Sequence, residues 1–381
     1  MGFIPFNKPF IASNELEYIK QSVESGKISG DGMFTKKCHE FFEQKYGFKK
    51  ALLTTSCTDA LEMAAILCNI ATGDEVIVPA YTFVSTSNAF VLRGAKIVFA
   101  DSRADHPGID EDKIEQLITP KTKAIVPVQY AGVACDMDKI MALAVKYNLY
   151  VIEDAAQCID GYYTGNDGRQ RPLGSIGHLA AFSFHETKNI ICGEGGMLAI
   201  NDEQFAKRAE IIREKGTNRS SFFRGEIDKY GWVDIGSSFL PSDIIAAFLY
   251  GQLENLDKIQ QRRIELWQQY LSLLKPLADA GKVKLPTVPA YSTNNAHMFY
   301  LLTNSLDERS NLIAYLRKND VYSVFHYVSL HKSEYYASHN EVPNLPLCDS
   351  YADTLVRLPL FYELKDSDIQ HIVSLIASFY N

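Results

Sequence analysis

Between residues 51 and 200, seven short apolar runs alternate with amphipathic stretches, and this alternation constrains the fold more than any other feature. The runs are 51–54, 75–79, 96–100, 124–128, 149–153, 179–184 and 197–200. They are rich in β-branched or aromatic residues. Several read apolar throughout, as strands buried on both faces do. Helical periodicity fills most of the gaps, as over 58–67 and 138–147. Strand–helix alternation of this kind implies a mostly parallel sheet with helices on both faces, an α/β fold.

The flanking segments read differently. Residues 14–46 are helical around a Gly-rich break at 25–32. From 243 to about 278 the period is that of a long helix, which Pro276 should end or kink. Beyond it, 296–303 and 321–327 read as strands, and 309–318 and 366–379 as helices. The expected organisation is a large domain with its N-terminal segment over 1–242, a linking helix over 243–279, and a smaller C-terminal α/β domain over 280–381.

Composition narrows the functional classes. With 38 Lys plus Arg against 46 Asp plus Glu in 381 residues, the net charge is −8. That argues against a coat for nucleic acid or anionic membrane, but permits a local basic pocket for a phosphorylated small molecule. No apolar run approaches the roughly 20 residues of a membrane span. The opening MGFIPFNKPF has neither the basic start nor the apolar core of a signal peptide. Seven scattered cysteines without a C-x-x-C fit free thiols in a reducing cytoplasm better than disulfides or zinc.

In open α/β sheets, ligands bind beyond the carboxyl ends of the strands. After the first run comes TTSCTDALEM, where hydroxyls cluster at a helix start. Such a terminus favours a phosphate, although Ser and Thr are also ordinary N-caps. After the fifth run come Glu153, Asp154, Ala155, Ala156 and Gln157. A carboxylate there suits a cationic ligand nitrogen such as a protonated pyridine, or caps a following helix. After the sixth run comes SFHETKNI, then GEGGMLAI. Lys188 in this loop is either partly desolvated, and so a nucleophile toward carbonyls, or an ordinary solvated lysine. His185-Glu186 is no zincin pair, because Asn189 stands where a second His is required. No metal site is expected. No G-x-G-x-x-G follows the first strand, and no Walker loop is present. Taken together, a phosphate nest, a strand-end Asp and a loop Lys along one sheet edge are what pyridoxal 5′-phosphate requires.

The blocks GDGMFTKKCHEFFE, LLTTSCTDALEMAA, VPVQYAGVACDMD, VIEDAAQ, SFHETKN, GEGG and REKGTNRSSFFRG extend this reading. Over nearly its whole length the chain resembles the DegT-type nucleotide-sugar aminotransferases, fold type I pyridoxal-phosphate enzymes. The stretches AYTFVST, EIIREKGTNRS and NAHMFY are similar to the branch that makes a dTDP-linked 4-amino-4,6-dideoxygalactose. The resemblance implies a seven-stranded large domain, a dTDP-keto sugar substrate with glutamate as donor, and a homodimer with shared active sites. It casts Lys188 as the lysine that carries the cofactor, Asp154 as the partner of the pyridine nitrogen and Gln157 as a donor to the ring hydroxyl. Phe83 would stack on the ring, with Ser56, Cys57, Thr58, Ser183 and His185 around the cofactor. Ser238 stands where many relatives have an Asn that reaches the partner subunit's phosphate. Arg219, Arg224, Tyr327 and His331 are implied at the sugar nucleotide. Other sugars, a gluco product and a non-catalytic binding protein are the rival readings. Retention of Lys188 disfavours a dehydratase, whose branch replaces that lysine by His.

Overall fold

The computed structural model describes residues 2–381. Three helices lead into and out of the first strand: α1 (Glu15–Glu24), α2 (Met33–Tyr46) and α3 (Cys57–Leu67). Further on come α4 (Ser85–Val91) and α5 (Met137–Tyr147). The main sheet is built from β1 (Lys50–Thr54), β2 (Glu75–Pro79), β3 (Lys96–Ala100), β4 (Thr122–Ile125) and β5 (Tyr150–Asp154). A separate hairpin, β6 (Tyr162–Thr164) and β7 (Gln170–Pro172), precedes the last two strands, β8 (Leu179–Ser183) and β9 (Gly196–Ile200). Their order is β1-β9-β8-β5-β4-β2-β3. All seven lie at or within a few residues of the predicted runs.

Pairing is parallel from β8 through β5, β4 and β2 to β3, whereas β9 runs antiparallel to both β8 and β1. The helix-free link from β8 to β9 explains this reversal, since a parallel neighbour needs a crossover, usually a helix. Successive strand residues point to opposite faces. Leu53, Phe182 and Met197 therefore pack with Phe34 and Phe42 of α2, while Leu52, Ala181 and Leu198 pack with Leu61 and Met63 of α3. Covered on both faces, the strands read as apolar throughout.

The long helical tract is two helices, Asp243–Leu253 and Leu256–Asp279. Pro276 does not end the second, which runs on to Asp279. Its missing N–H leaves the Ser272 carbonyl without a helical partner, yet the helix continues for three further residues. The helix joins two cores. Leu256 and Ile259 pack beside the main sheet, and Leu266, Tyr270 and Leu274 pack on the C-terminal elements. There the only ladder among the described residues joins β10 (Phe299–Leu302) to β11 (Leu355–Leu358). The strand expected over 321–327 does not form. Val321 bridges Ile4 and Val324 bridges Arg357, so the start and the middle of the segment are spent on different partners. Helices Leu306–Lys318, Glu334–Ala337, Pro346–Thr354 and Asp366–Tyr380 also belong to this part. The first residues lie along it too: Ile4 joins its core, and the Phe10 ring stacks on Tyr362 at 3.9 Å.

Asp154 and Glu153 end the central strand β5, and Glu153 is completely buried. Its carboxylate accepts from Gly174 N at 2.9 Å, Ile176 N at 2.9 Å, Gly177 N at 2.7 Å and Gln129 Nε2 at 2.9 Å. Burial pushes its pKa up, and these donors pull the other way. The side chain thus fixes the approach to β8. Glu153→Ala removes the acceptor of four donors, most of them buried, and such orphaned groups are costly. We expect it to lower stability by about 3 kcal/mol, measured as a shift of the urea midpoint. A shift under about 1 kcal/mol would show that the 174–177 turn holds itself.

Candidate active site

The carboxyl ends of β1, β5 and β8 open onto one cavity of about 550 Å³. Its floor is the start of α3. Ser56 N-caps that helix, its Oγ accepting from Asp59 N at 3.0 Å. Cys57 and Thr58 follow on the cavity wall, and Thr58 Oγ1 donates to Ser85 Oγ at 2.8 Å. Burial holds the Cys57 thiol well above its usual pKa, so it stays neutral. The helix N-terminus is pressed against β9. A Cβ on Gly196 would lie 2.3 Å from the Ser56 carbonyl carbon and 2.4 Å from Cys57 N.

Asp154 projects into the same cavity from β5. Its Oδ2 accepts from Thr86 Oγ1 at 2.6 Å and its Oδ1 from Ala156 N at 3.1 Å. No helix begins after it, which removes the capping alternative; its turn leads instead to Gln157. Burial raises the Asp154 pKa, while Thr86, Ala156 and the charge of Lys188 lower it. Gln157 is held at both ends: Oε1 accepts from Ala131 N at 2.6 Å, and Nε2 donates to Tyr327 Oη at 3.1 Å. Lys188 is half-buried on the cavity wall rather than solvated. Burial lowers its pKa from the ordinary 10.5, with Cys57 and Asp154 opposing the shift. A larger fraction of neutral amine is the result. Phe83, 56% exposed, offers an open ring face beside Tyr327, and Ser183 and His185 complete the rim.

Ten residues singled out in the sequence therefore share one cavity: Ser56, Cys57, Thr58, Phe83, Asp154, Gln157, Ser183, His185, Lys188 and Tyr327. Four others do not. Ser238, Arg219 and Arg224 line a second cavity of about 870 Å³ that shares no lining residue with the first. Arg224 is engaged there by Glu226 at 2.6 Å and Glu210 at 3.0 Å. His331, expected at the substrate, is fully buried behind the wall against Phe99 and Cys348. Conversely, sequence reading missed Thr86, His326, Arg357 and the N-terminal Phe6 and Asn7, all but Thr86 on the cavity wall. His297 and Met298 belong to the NAHMFY stretch that carried part of the resemblance. His326 stacks on Tyr327 at 3.5 Å and shares a 2.6 Å hydrogen bond with Tyr130 Oη.

A family model for the DegT/DnrJ/EryC1/StrS aminotransferases matches residues 9–377. The chain belongs to this family. Its members are pyridoxal-phosphate enzymes that transaminate nucleotide sugars. The spore coat polysaccharide biosynthesis protein SpsC of Bacillus subtilis is 32% identical over 388 residues, covering 98% of this chain and 96% of that protein. Spr1654 of Streptococcus pneumoniae superposes in its PMP form with a TM-score of 0.89 at 26% identity, covering 100% of this chain and 98% of that one. Its PLP form gives 0.88 at 27% identity with the same coverage. The cavity's own chemistry fits the cofactor. It offers a helix N-terminus for a phosphate, a buried carboxylate for a protonated ring nitrogen and a desolvated amine for the carbonyl.

Because Gly196 has no room for a side chain, Gly196→Ala must push the α3 start off β9. We expect pyridoxal phosphate affinity to fall at least about 10-fold, with a stability loss of about 1–3 kcal/mol. Titration of the cofactor-free enzyme by fluorescence measures the first quantity. Unchanged affinity would mean that the phosphate is held elsewhere.

Proposed function

We propose that this enzyme transfers the amino group of glutamate to C4 of dTDP-4-keto-6-deoxy-D-glucose, giving dTDP-4-amino-4,6-dideoxy-D-galactose for surface polysaccharide synthesis. The observation that carries the transaminase chemistry is the convergence of the Lys188 amine, the Asp154 carboxylate and the α3 N-terminus on one cavity. The similarity of AYTFVST, SFHETKN, EIIREKGTNRS and NAHMFY to dTDP-4-amino-4,6-dideoxygalactose transaminase supports the choice of sugar. The relative in spore coat polysaccharide biosynthesis supports the surface-glycan setting.

Pyridoxal phosphate, when bound, supplies an electron sink that lets a proton leave the carbon bearing the amine. Backbone N–H groups of Cys57 and Thr58, with the Ser56 and Thr58 hydroxyls, would hold its phosphate at the helix dipole. Asp154, oriented by Thr86 and Ala156, keeps the ring nitrogen protonated. Gln157, fixed between Ala131 and Tyr327, would donate to the ring hydroxyl, and Phe83 would lie against the ring. Lys188 anchors the cofactor and then moves a proton as base and acid; its lowered pKa matches that task.

Ser238, Arg219 and Arg224 belong, on this reading, to the partner subunit's site. They sit beside an exposed apolar segment in which Phe223 is 69% and Trp232 81% exposed. A two-fold axis through such a face builds two equivalent composite sites. His331 has no place in the substrate pocket and is withdrawn from it.

Incubated with pyridoxal phosphate, glutamate and dTDP-4-keto-6-deoxyglucose, the wild-type enzyme is expected to yield a product whose NMR couplings show an axial C4 amine. Lys188→Ala should yield none, and borohydride should fix the cofactor to Lys188 alone. An equatorial amine would replace the galacto product by the gluco one. Label on another lysine would overturn the assignment of Lys188.

A charge placed at Ser238 tests the assembly. Ser238→Asp and Lys188→Ala are each expected to be inactive, and mixed dimers of the two should recover activity. One site of a mixed dimer then carries both lesions and the other carries none. Mass spectrometry verifies subunit exchange. Verified mixed dimers without activity would return Ser238 to its own chain.

A further inference from the structure

The geometry points to Arg357 as the receptor for a carboxylate of the amino donor, an inference that rests on the transaminase reading above. Arg357 lies on β11, whose backbone is clamped from both sides. Tyr300 is its ladder partner on β10, and Val324 exchanges two backbone hydrogen bonds with it, at 2.8 and 3.2 Å. The position of its Cα is thereby fixed. Its guanidinium lines the same cavity as Lys188 and lies over the Phe6 ring, 4.7 Å from the centroid.

What sets this side chain apart is that it lacks a good acceptor and also lines the cavity that holds Lys188. Nη2 makes one long bond, 3.4 Å, to the Phe325 carbonyl, and the buried Nε has no partner. No carboxylate among the described residues pairs with it. Several other enclosed arginines have acceptors, although Arg93 and Arg213 also carry a buried Nε without a partner. Arg103 meets Glu111 at 2.9 Å, Arg208 meets Asp234 at 2.7 Å, and Arg263 donates to the Ala296 and His297 carbonyls at 3.1 and 2.6 Å. The groups that face Arg357 are the phenols of Tyr81, Tyr130 and Tyr327 and the like-charged or neutral bases Lys188, His297 and His326. A desolvated cation without a counter-ion is costly, and the cost is relieved when an anion enters.

The kind of anion follows from where the guanidinium is. The cofactor's phosphate has its own seat at the α3 N-terminus. The amine of the donor must come to the Lys188 region, and the donor brings carboxylates with it. A planar guanidinium fork on a rigid strand matches a carboxylate in two parallel hydrogen bonds. Phe6 beneath the fork fixes its plane and keeps water from one face.

Glutarate, a dicarboxylate with no amine to react, is the probe. Its affinity for the cofactor-loaded enzyme is measured by calorimetry for wild type, Arg357→Gln and Arg357→Lys, with the bound-cofactor absorbance confirming an intact site in each. Loss of a charge-assisted pair should weaken glutarate roughly 10- to 100-fold in Arg357→Gln, with Arg357→Lys between. In single half-reactions, KM for glutamate should rise by a similar factor while KM for the keto sugar stays put. Glutarate bound by Arg357→Gln as by wild type, or a defect confined to the sugar half-reaction, would overturn the assignment. A wild-type enzyme indifferent to both glutarate and glutamate would remove the donor reading along with it.

Discussion

Two adjacent carboxylates at the end of β5 organise this molecule, and they do so because neighbours on a strand face opposite ways. Glu153 turns toward one side, where four donors satisfy it and tie the turn before β8 to the central strand. Asp154 turns to the other and enters the cavity. The cost of burying the first is met entirely by the protein. The cost of burying the second is met only in part, by Thr86 and Ala156, which leaves the carboxylate suited to a cationic ligand atom. One strand end thereby serves both architecture and chemistry.

Much of this was legible in the chain because the relevant residues sit just beyond strands that are apolar on both faces. The period and the position after the strand located Asp154 and Lys188 together. Residues supplied by other elements gave no such sign. Thr86 reads as one more hydroxyl in YTFVSTSN, and only its contact with Asp154 gives it meaning. Arg357 stands in a four-residue strand closed by Pro359, too short for a periodicity argument. The segment around 321–327 has strand composition, yet its start bonds to Ile4, its middle to Arg357, and its later residues turn to the cavity. His331 was misplaced for the opposite reason: its neighbour Tyr327 faces the cavity, and the turn of chain between them puts the imidazole behind the wall.

The two cavities divide the polar residues by kind. The first carries hydroxyls, amides and few formal charges; the second is edged by Lys27, Lys36, Lys50, Arg213, Lys215, Arg219 and Arg224, with Asp31, Glu43, Glu210 and Glu214 among them. An overall charge of −8 therefore conceals a locally basic region. Such a region is suited to attract a doubly charged nucleotide group, and it adjoins the exposed aromatic segment at 222–232.

The cavity wall is also assembled from residues at great distance along the chain. Phe6 and Asn7 meet Arg357, Leu358 and Leu360 there, while Phe10 stacks on Tyr362. All seven strands of the main sheet precede residue 201 in the sequence, whereas β11 begins at Leu355. The α3 start and Lys188 thus lie within residues 50–200, while the wall facing them is drawn from both outer parts of the sequence. Closing the pocket therefore requires contacts between residues about 350 positions apart, the slow, non-local kind of contact in folding.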